Sequence, residues 1–180
     1  MNVQKIIVSK AQKAVTPGSA GSQMLICKSI LINAPLKQVW DTFTDLTCWQ
    51  DWNDVFSNVS FKSARLTEGT SFKFCIRPFS FPIHIEPVVE ELVAGQKIVW
   101  RGTKHGITAR HEFLFEEING KTLLTSREAF KLSWIKRLFF RIPGRRLHDL
   151  SLLMLQDLKF AAENRAVPKD IPKSELWEKK

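Results

Sequence analysis

Short stretches in which apolar and polar residues alternate fill the middle of the chain, and glycine-containing turns separate them. Alternation with a period of two predicts half-buried strands. Glu68-Gly69, Ala94-Gly95 and Asn119-Gly120 mark hairpin turns, and Asn-Gly is the strongest short signal of this kind. The pattern predicts seven strands, at 24–33, 59–66, 70–77, 82–93, 97–102, 107–118 and 121–131.

Helical periodicity interrupts this alternation early in the chain. An amphipathic helix is predicted at 35–45, entered through Pro35 at its first turn, with Val39 and Phe43 on its apolar face. A second short helix is predicted at 49–57. Both helices therefore follow the first strand.

The period becomes helical again near the end of the chain. We predict a short helix at 134–142, broken by Pro143-Gly144, and a long helix at 145–166. The long helix carries an apolar stripe that consists of Leu147, Leu150, Met154, Leu158 and Ala161.

The order of these elements predicts an α+β domain: a strand, two short helices, six more strands and a long helix. In this arrangement a seven-stranded antiparallel sheet wraps around the C-terminal helix. We expect the domain at 23–167. Residues 1–22 end in Thr-Pro-Gly-Ser-Ala-Gly-Ser and are expected to form a flexible N-terminal extension, while 168–180 form a C-terminal tail.

The composition favours an interior rich in aromatic rings. The chain has 13 Phe and 6 Trp but no Tyr, which provides large apolar area with few polar groups. Such an interior is either packed or hollow. The three cysteines have no CxxC or metal-binding spacing, so we expect reduced thiols and a cytoplasmic protein.

Several short pieces of sequence occur in an order that resembles a known family. They are Ile-Asn-Ala-Pro at 32–35, Val-Trp at 39–40, Trp49-x-x-Trp52-Asn53, Val-Trp-Arg-Gly at 99–102, His-Glu-Phe at 111–113 and Glu-Ala-Phe at 128–130. Over residues 24–165 the chain resembles the START-like, or polyketide cyclase/dehydrase (SRPBCC), superfamily, which includes the birch-pollen-allergen proteins. The resemblance implies the helix-grip fold. It also implies a cavity for lipids, sterols or aromatic polyketides, and in a minority of members cyclase or dehydratase activity.

A ligand cavity and a fully packed core are both compatible with this sequence. A void of about 300 Å³, the low end for small-molecule sites, costs roughly 7 kcal/mol when empty. That rivals a total domain stability of about 5–15 kcal/mol, so such a cavity must hold a ligand or water, or the aromatic rings must fill it. The inward candidates for ligand binding are Trp40, Phe72, Phe74, Ile83, Ile85, Trp100, Phe113, Phe115, Leu124, Ser126, Phe130, Met154 and Leu158.

Glu128 and His111 are the candidate acid/base residues. Both are expected on inward strand faces, where desolvation raises the pKa of a carboxyl group. Such a pair suits the enolisation or dehydration of a polyketide. The alternative is a buried pair that only fixes the sheet interior or orients a ligand, and Ser126 is a candidate for orienting a ligand carbonyl.

The sequence predicts no metal and no cofactor. His84, His105 and His148 have no second ligand at metal-binding spacing. There is no glycine-rich phosphate loop and no nucleophile elbow. The family resemblance and the apolar inward faces imply a hydrophobic small molecule or lipid as the partner, and the oligomeric state stays open.

The segment 131–148 is basic and contains no acidic residue, within a chain of net charge +9. Aromatic residues among its cations are typical of a protein at an anionic membrane surface. The alternatives are a solvated charged face and, more weakly, a nucleic-acid-binding surface, for which no known module is present. The candidate membrane-surface residues are Lys131, Trp134, Lys136, Arg137, Arg141, Arg145 and Arg146.

Overall fold

The computed structural model describes residues 23–78, 81–104, 106–131 and 141–164. The helices are α1 (Leu36–Thr44), a 3-10 helix (Leu46–Cys48), α2 (Trp49–Trp52) and α3 (Arg141–Asn164). The strands are β1 (Gln23–Ile32), β2 (Ser57–Phe61), β3 (Phe72–Ile76), β4 (Ile83–Ile85), β5 (Val88–Val93), β6 (Lys97–Lys104), β7 (Ile107–Ile118) and β8 (Lys121–Lys131).

The strands are antiparallel and form two hydrogen-bonded sheets that are joined to each other. One sheet has the order β1-β8-β7-β6-β5 and the other β2-β3-β4. Backbone hydrogen bonds from Phe72 N to Pro87 O and from Val89 N to Thr70 O connect the two sheets. The predicted α+β architecture, a sheet wrapped around a C-terminal helix, is confirmed.

The Asn119-Gly120 turn forms as predicted. Both residues have positive φ, 52° and 74°, which the mirror-image type I′ turn of a two-residue hairpin requires. Ile118 and Lys121 pair directly on either side of it. This turn fixes the register of β7 and β8, and with it the relative positions of the residues on their inner face.

Three predicted element boundaries were wrong. The stretch expected as one strand at 82–93 divides into β4 and β5 at Glu86-Pro87, because proline has no N–H to donate to a ladder. The described residues therefore contain eight strands, where seven were predicted. β2 ends at Phe61 instead of 66, and a long loop connects it to its partner strand β3, which begins at Phe72. The helix expected at 49–57 ends at Trp52.

The long helix also differs from the prediction at its beginning. It starts at Arg141 and continues through Pro143-Gly144, where we expected a break. Proline is tolerated in the first helical turn, because the N–H groups there have no partner within the helix. Residues 134–140 of the predicted short helix lie outside the described residues, as do the predicted extension 1–22 and tail 168–180.

Aromatic rings centred on Phe43 fill one end of the interior. Phe43 is fully buried on α1, and its ring centroid lies 4.7 Å from that of Phe113 and 5.8 Å from those of Trp49 and Trp100. Phe115 adds an edge-on contact at 5.6 Å. Tilted and edge-on packing at these distances is favourable for aromatic pairs. This aromatic cluster holds α1 and α2 against the sheet.

The C-terminal part of α3 is fastened to the corner between β1 and α1. Gln38 Nε2 donates to Ala162 O at 2.6 Å, and Lys159 Nζ donates to Leu31 O at 2.9 Å. Glu163 Oε1 accepts from the backbone N–H of Asn33 at 2.6 Å. The helix is therefore anchored to the rest of the domain at this end.

Candidate functional site

A cavity of about 70 Å³ lies between the inner face of the sheet and the earlier turns of α3. Its wall is mainly apolar, with three polar side chains. It is lined by Val55, Phe56, Phe74, Ile76, Ile85, Pro87, Trp100, Gly102, Ala109, His111, Glu128, Leu147, Leu150, Ser151 and Met154.

Small residues on two neighbouring strands create this space. Gly102 of β6 and Ala109 of β7 face each other in the sheet register, so little side-chain volume extends from this part of the wall. A Cβ atom at Gly102 would lie 3.2 Å from Cγ2 of Ile85, closer than ordinary packing allows. Beyond this pair, Trp100 and the aromatic cluster close the inner end.

The volume of the cavity has two consequences. At about 24 cal/mol per Å³, an empty space of this size costs about 2 kcal/mol, which a folded domain tolerates. The cavity is also well below the roughly 300 Å³ of the smallest typical ligand sites. A whole ligand therefore fits only if the wall moves, whereas one end of a ligand fits the cavity as it stands.

His111 and Glu128 lie side by side in the wall. They are directly opposite each other on β7 and β8, and His111 Nδ1 is 3.9 Å from Glu128 Oε1. This distance is too long for a hydrogen bond. The other ring nitrogen of His111, Nε2, is 2.6 Å from the hydroxyl oxygen of Ser126. Ser126 therefore fixes the orientation of the imidazole ring from the side away from Glu128.

Burial governs the charge of both groups. Loss of hydration raises the pKa of Glu128 to about 7 and lowers the pKa of His111 to about 3. His111 is therefore uncharged at neutral pH, so the two side chains do not form an ion pair. Glu128 exchanges its proton near neutrality, and its side chain keeps 18% of its surface exposed. The site thus contains a carboxylic acid beside a neutral imidazole.

Sequence comparison identifies the family. The family model described as "Polyketide cyclase / dehydrase and lipid transport" matches residues 26–158. The chain belongs to this family. No curated protein matches the sequence of this chain. The predicted resemblance to the START-like superfamily is confirmed.

Solved structures share the fold of this polyketide cyclase family member at low sequence identity. The Zhui aromatase/cyclase from Streptomyces sp. R1128 is 12% identical, with a TM-score of 0.70 over 82% of this chain and 98% of that one. Hypothetical protein jhp0584 from Helicobacter pylori is 16% identical, with a TM-score of 0.66 over 83% and 99%. Ara h 8.0201 is 5% identical, with a TM-score of 0.62 over 80% and 100%.

The cavity brings together some of the residues predicted to bind a ligand. Phe74, Ile85, Trp100 and Met154 line it together with the predicted acid/base residues. The other predicted residues lie outside the lining. Most of them pack into the core, and Ile83 is half-buried on β4. They are Trp40, Phe72, Ile83, Phe113, Phe115, Leu124, Ser126, Phe130 and Leu158.

Several lining residues were missed from the sequence. Val55 and Phe56 are held at the rim by Asn53, whose side-chain oxygen accepts from both of their backbone N–H groups at 2.9 and 3.0 Å. Ser151 lies on the same face of α3 as Met154, and its hydroxyl interrupts the apolar stripe there. The sequence thus contained a signal for Ser151, a hydroxyl group within an apolar stripe. It contained no comparable signal for Val55 and Phe56 at the rim.

The candidate membrane-surface residues are only partly described. Lys131 is exposed at the end of β8 opposite Thr108, and thus at the same end of the sheet as Ala109 of the cavity wall. Arg146 is exposed on α3 beside Leu147, which lines the cavity. The remaining residues of this group are Arg141 and Arg145, in the first turns of α3, and Trp134, Lys136 and Arg137, which lie outside the described residues.

Metal-binding clusters and membrane-spanning helices are absent from the described residues. No group of three or more His, Cys, Asp or Glu side chains is placed to hold a metal ion within 23–78, 81–104, 106–131 and 141–164. No helix in these ranges is long and apolar enough to cross a membrane. Cys27, Cys48 and Cys75 are free thiols.

Proposed function

We propose that this protein binds or transfers a hydrophobic small molecule or lipid in the cavity between its sheet and α3. The observation that carries the proposal is an apolar cavity, lined by residues such as Trp100 and Met154, with two ionisable groups in its wall. Few polar groups in an otherwise apolar wall are typical of sites that orient a hydrophobic ligand. The description of the family, which names lipid transport, supports the same class of function.

Entry of a ligand requires part of the wall to move. The C-terminal part of α3 is fastened by Gln38 and Lys159, as described above. The earlier turns lie over the cavity through Leu147 and Leu150. Displacement of these turns would open the space while the anchored end of the helix stays in place. A ligand would then insert one end towards His111 and leave the remainder under the helix.

Filling the cavity should abolish binding of a small apolar probe. Leucine at Ala109 would project into the space opposite Gly102, so Ala109→Leu is expected to weaken naphthalene binding at least about 10-fold. Ala94→Leu makes the same change at an exposed turn and should leave binding intact. The measurement is the change of tryptophan fluorescence on titration with naphthalene. If Ala109→Leu, Ala94→Leu and the parent protein bound naphthalene with equal affinity, the probe would bind outside this cavity.

The second candidate function is that of a cyclase or dehydratase. It is favoured by the position of Glu128 and His111 in the cavity wall, within 3.9 Å of each other. Glu128, with a pKa of about 7, would take up a proton from a substrate carbon or hydroxyl group and return it to a carbonyl or to a departing hydroxyl. The neutral imidazole of His111 would hydrogen-bond the reacting oxygen and assist this transfer. Acid/base catalysis of this kind typically contributes about 10²–10⁴-fold to the rate.

Turnover of an aromatic polyketide model substrate distinguishes an enzyme from a carrier. For an enzyme, Glu128→Gln should reduce kcat at least about 100-fold and leave naphthalene affinity unchanged. For a carrier, the parent protein and the variant should both fail to convert the substrate. Exposed Glu117 provides the matched control, because Glu117→Gln makes the same change outside the cavity.

We also propose that an anionic membrane surface is a partner. Lys131 and Arg146 are exposed. Arg146 precedes the lining residue Leu147, and Lys131 lies at the end of β8 that is nearest to Ala109 of the cavity wall. Charge reversal at both positions should reduce co-sedimentation with phosphatidylserine vesicles, and added salt should do the same for the parent protein. Binding that ignores salt and anionic lipid would contradict this part of the proposal.

A further inference from the structure

We propose that the cavity selects ligands whose buried end carries an uncharged oxygen, in a hydroxyl or carbonyl group, and rejects those whose buried end is a carboxylate or phosphate. This inference rests on the proposed binding function and specifies the chemistry of the ligand. It follows from the polar groups that face the cavity and from the position of the described cations.

The hydroxyl group of Ser151 lacks a partner in the cavity wall. Ser151 is 6% exposed, and its oxygen is buried without a hydrogen bond. Serine within a helix often donates to the carbonyl four residues earlier, and this side chain does not. A buried hydroxyl without a partner costs free energy, so a ligand oxygen that accepted its proton would recover that loss.

The described lining residues include no lysine and no arginine. The nearby arginines of the sheet belong to its outer face, where they alternate with inward residues. Arg101 and Arg110 pair with Glu90, and Arg110 and Arg127 pair with Glu112. An anionic group brought into the cavity would therefore lose its hydration without gaining a cation from the described part of the lining.

Glu128 strengthens the discrimination against anions. Its carboxyl group faces the same space as Ser151 and His111. A ligand carboxylate would be placed beside a second carboxylate whenever Glu128 is ionised, which is unfavourable. An alcohol or phenol can instead donate to Glu128 or His111 and accept from Ser151. A ketone can accept from Ser151 and from protonated Glu128.

Three ligands with the same ring system test this selectivity: naphthalene, uncharged 2-naphthol and ionised 2-naphthoate. Their affinities would be measured at pH 8, above the pKa of about 7 of Glu128, by tryptophan fluorescence and calorimetry. We expect 2-naphthol to bind at least about 10-fold more tightly than 2-naphthoate, because only the latter buries a charge. Ser151→Ala should weaken 2-naphthol binding by about 3- to 10-fold and leave naphthalene binding unchanged. Ser63→Ala, at an exposed serine, should change neither affinity.

The possible outcomes separate the inference from the function on which it rests. Binding of 2-naphthoate as tight as that of 2-naphthol would overturn the inference and leave the binding function standing. Equal weakening of naphthalene and 2-naphthol by Ser151→Ala would also overturn it, since the serine would then act by packing alone. Failure of all three compounds to bind would instead reject the binding function.

Discussion

Phe43→Ala is expected to destabilise the folded protein by about 4 kcal/mol. Replacement of a buried phenylalanine by alanine typically costs about 3–5 kcal/mol, through lost burial and the void that remains. Phe43 is fully buried, and its ring contacts those of Trp49, Trp100, Phe113 and Phe115. These neighbours come from separate parts of the chain, so no single side chain can turn to fill the gap.

Equilibrium unfolding in urea measures this effect, and Phe160→Ala is its matched control. Phe160 is 71% exposed on α3, so its removal should change the free energy of unfolding by no more than about 0.5 kcal/mol. A loss below about 1 kcal/mol for Phe43→Ala, or equal losses for both variants, would show that the aromatic cluster does not support the fold.

Glu128→Gln is expected to stabilise the protein at neutral pH relative to the parent chain by about 3 kcal/mol. Burial raises the pKa of Glu128 from 4.5 to about 7 on folding. One pKa unit corresponds to about 1.4 kcal/mol, which gives the size of the effect. Glutamine keeps a similar shape and cannot ionise, so it removes the cost of burying a charge.

The direction of the pH dependence follows from proton binding. Below pH 4.5 Glu128 is protonated in both the folded and the unfolded chain. Between pH 4.5 and about 7 the folded chain keeps a proton that the unfolded chain has released, so the contribution of Glu128 to stability falls as the pH rises. The difference between Glu128→Gln and the parent should therefore grow across this window and level off above it.

His111 acts in the opposite direction in the parent protein. Burial lowers its pKa from 6.5 to about 3, so the unfolded chain binds the extra proton within that range. Its contribution to stability rises with pH and nearly cancels that of Glu128 between pH 4.5 and 6.5. The parent protein should therefore show a flat profile there, and Glu128→Gln should show a rising one.

Urea unfolding at a series of pH values tests both statements. Glu117→Gln serves as the control, because Glu117 is an exposed carboxylate on β7. A stability difference between Glu128→Gln and the parent that stays constant from pH 4 to 8 would contradict the buried, proton-retaining state of Glu128.

Local sequence signals were sufficient to predict much of the fold. Asn119-Gly120 predicted the β7–β8 hairpin, because few residues other than glycine and asparagine adopt the required positive φ. The prediction of a helix break at Pro143 was wrong, because the effect of a proline depends on which helical turn it occupies. Periodicity alone does not locate the start of a helix. The interruption of the strand at Pro87 could have been predicted from the sequence, because proline has no N–H to donate to the ladder.

The cavity was harder to predict than the fold. His111 and Glu128 were recognised because ionisable residues on an otherwise apolar strand face are conspicuous. The paired Gly102 and Ala109 were missed, because their common position depends on the register between two strands. Inward-facing aromatic residues such as Phe113 were assigned to the ligand, although their rings fill the core. Alternation shows which face is inward but not whether that face borders a space.

The most direct measurement of the binding site uses the methyl group of Met154. The chain has 3 methionines, and among the described residues Met154 lines the cavity. In protein labelled with ¹³C at the methionine methyl groups, bound 2-naphthol should give intermolecular NOEs to Met154, and Met154→Leu should remove the signal that carries them. Saturable binding with neither an NOE to Met154 nor a shift of its signal would contradict a ligand site in this cavity.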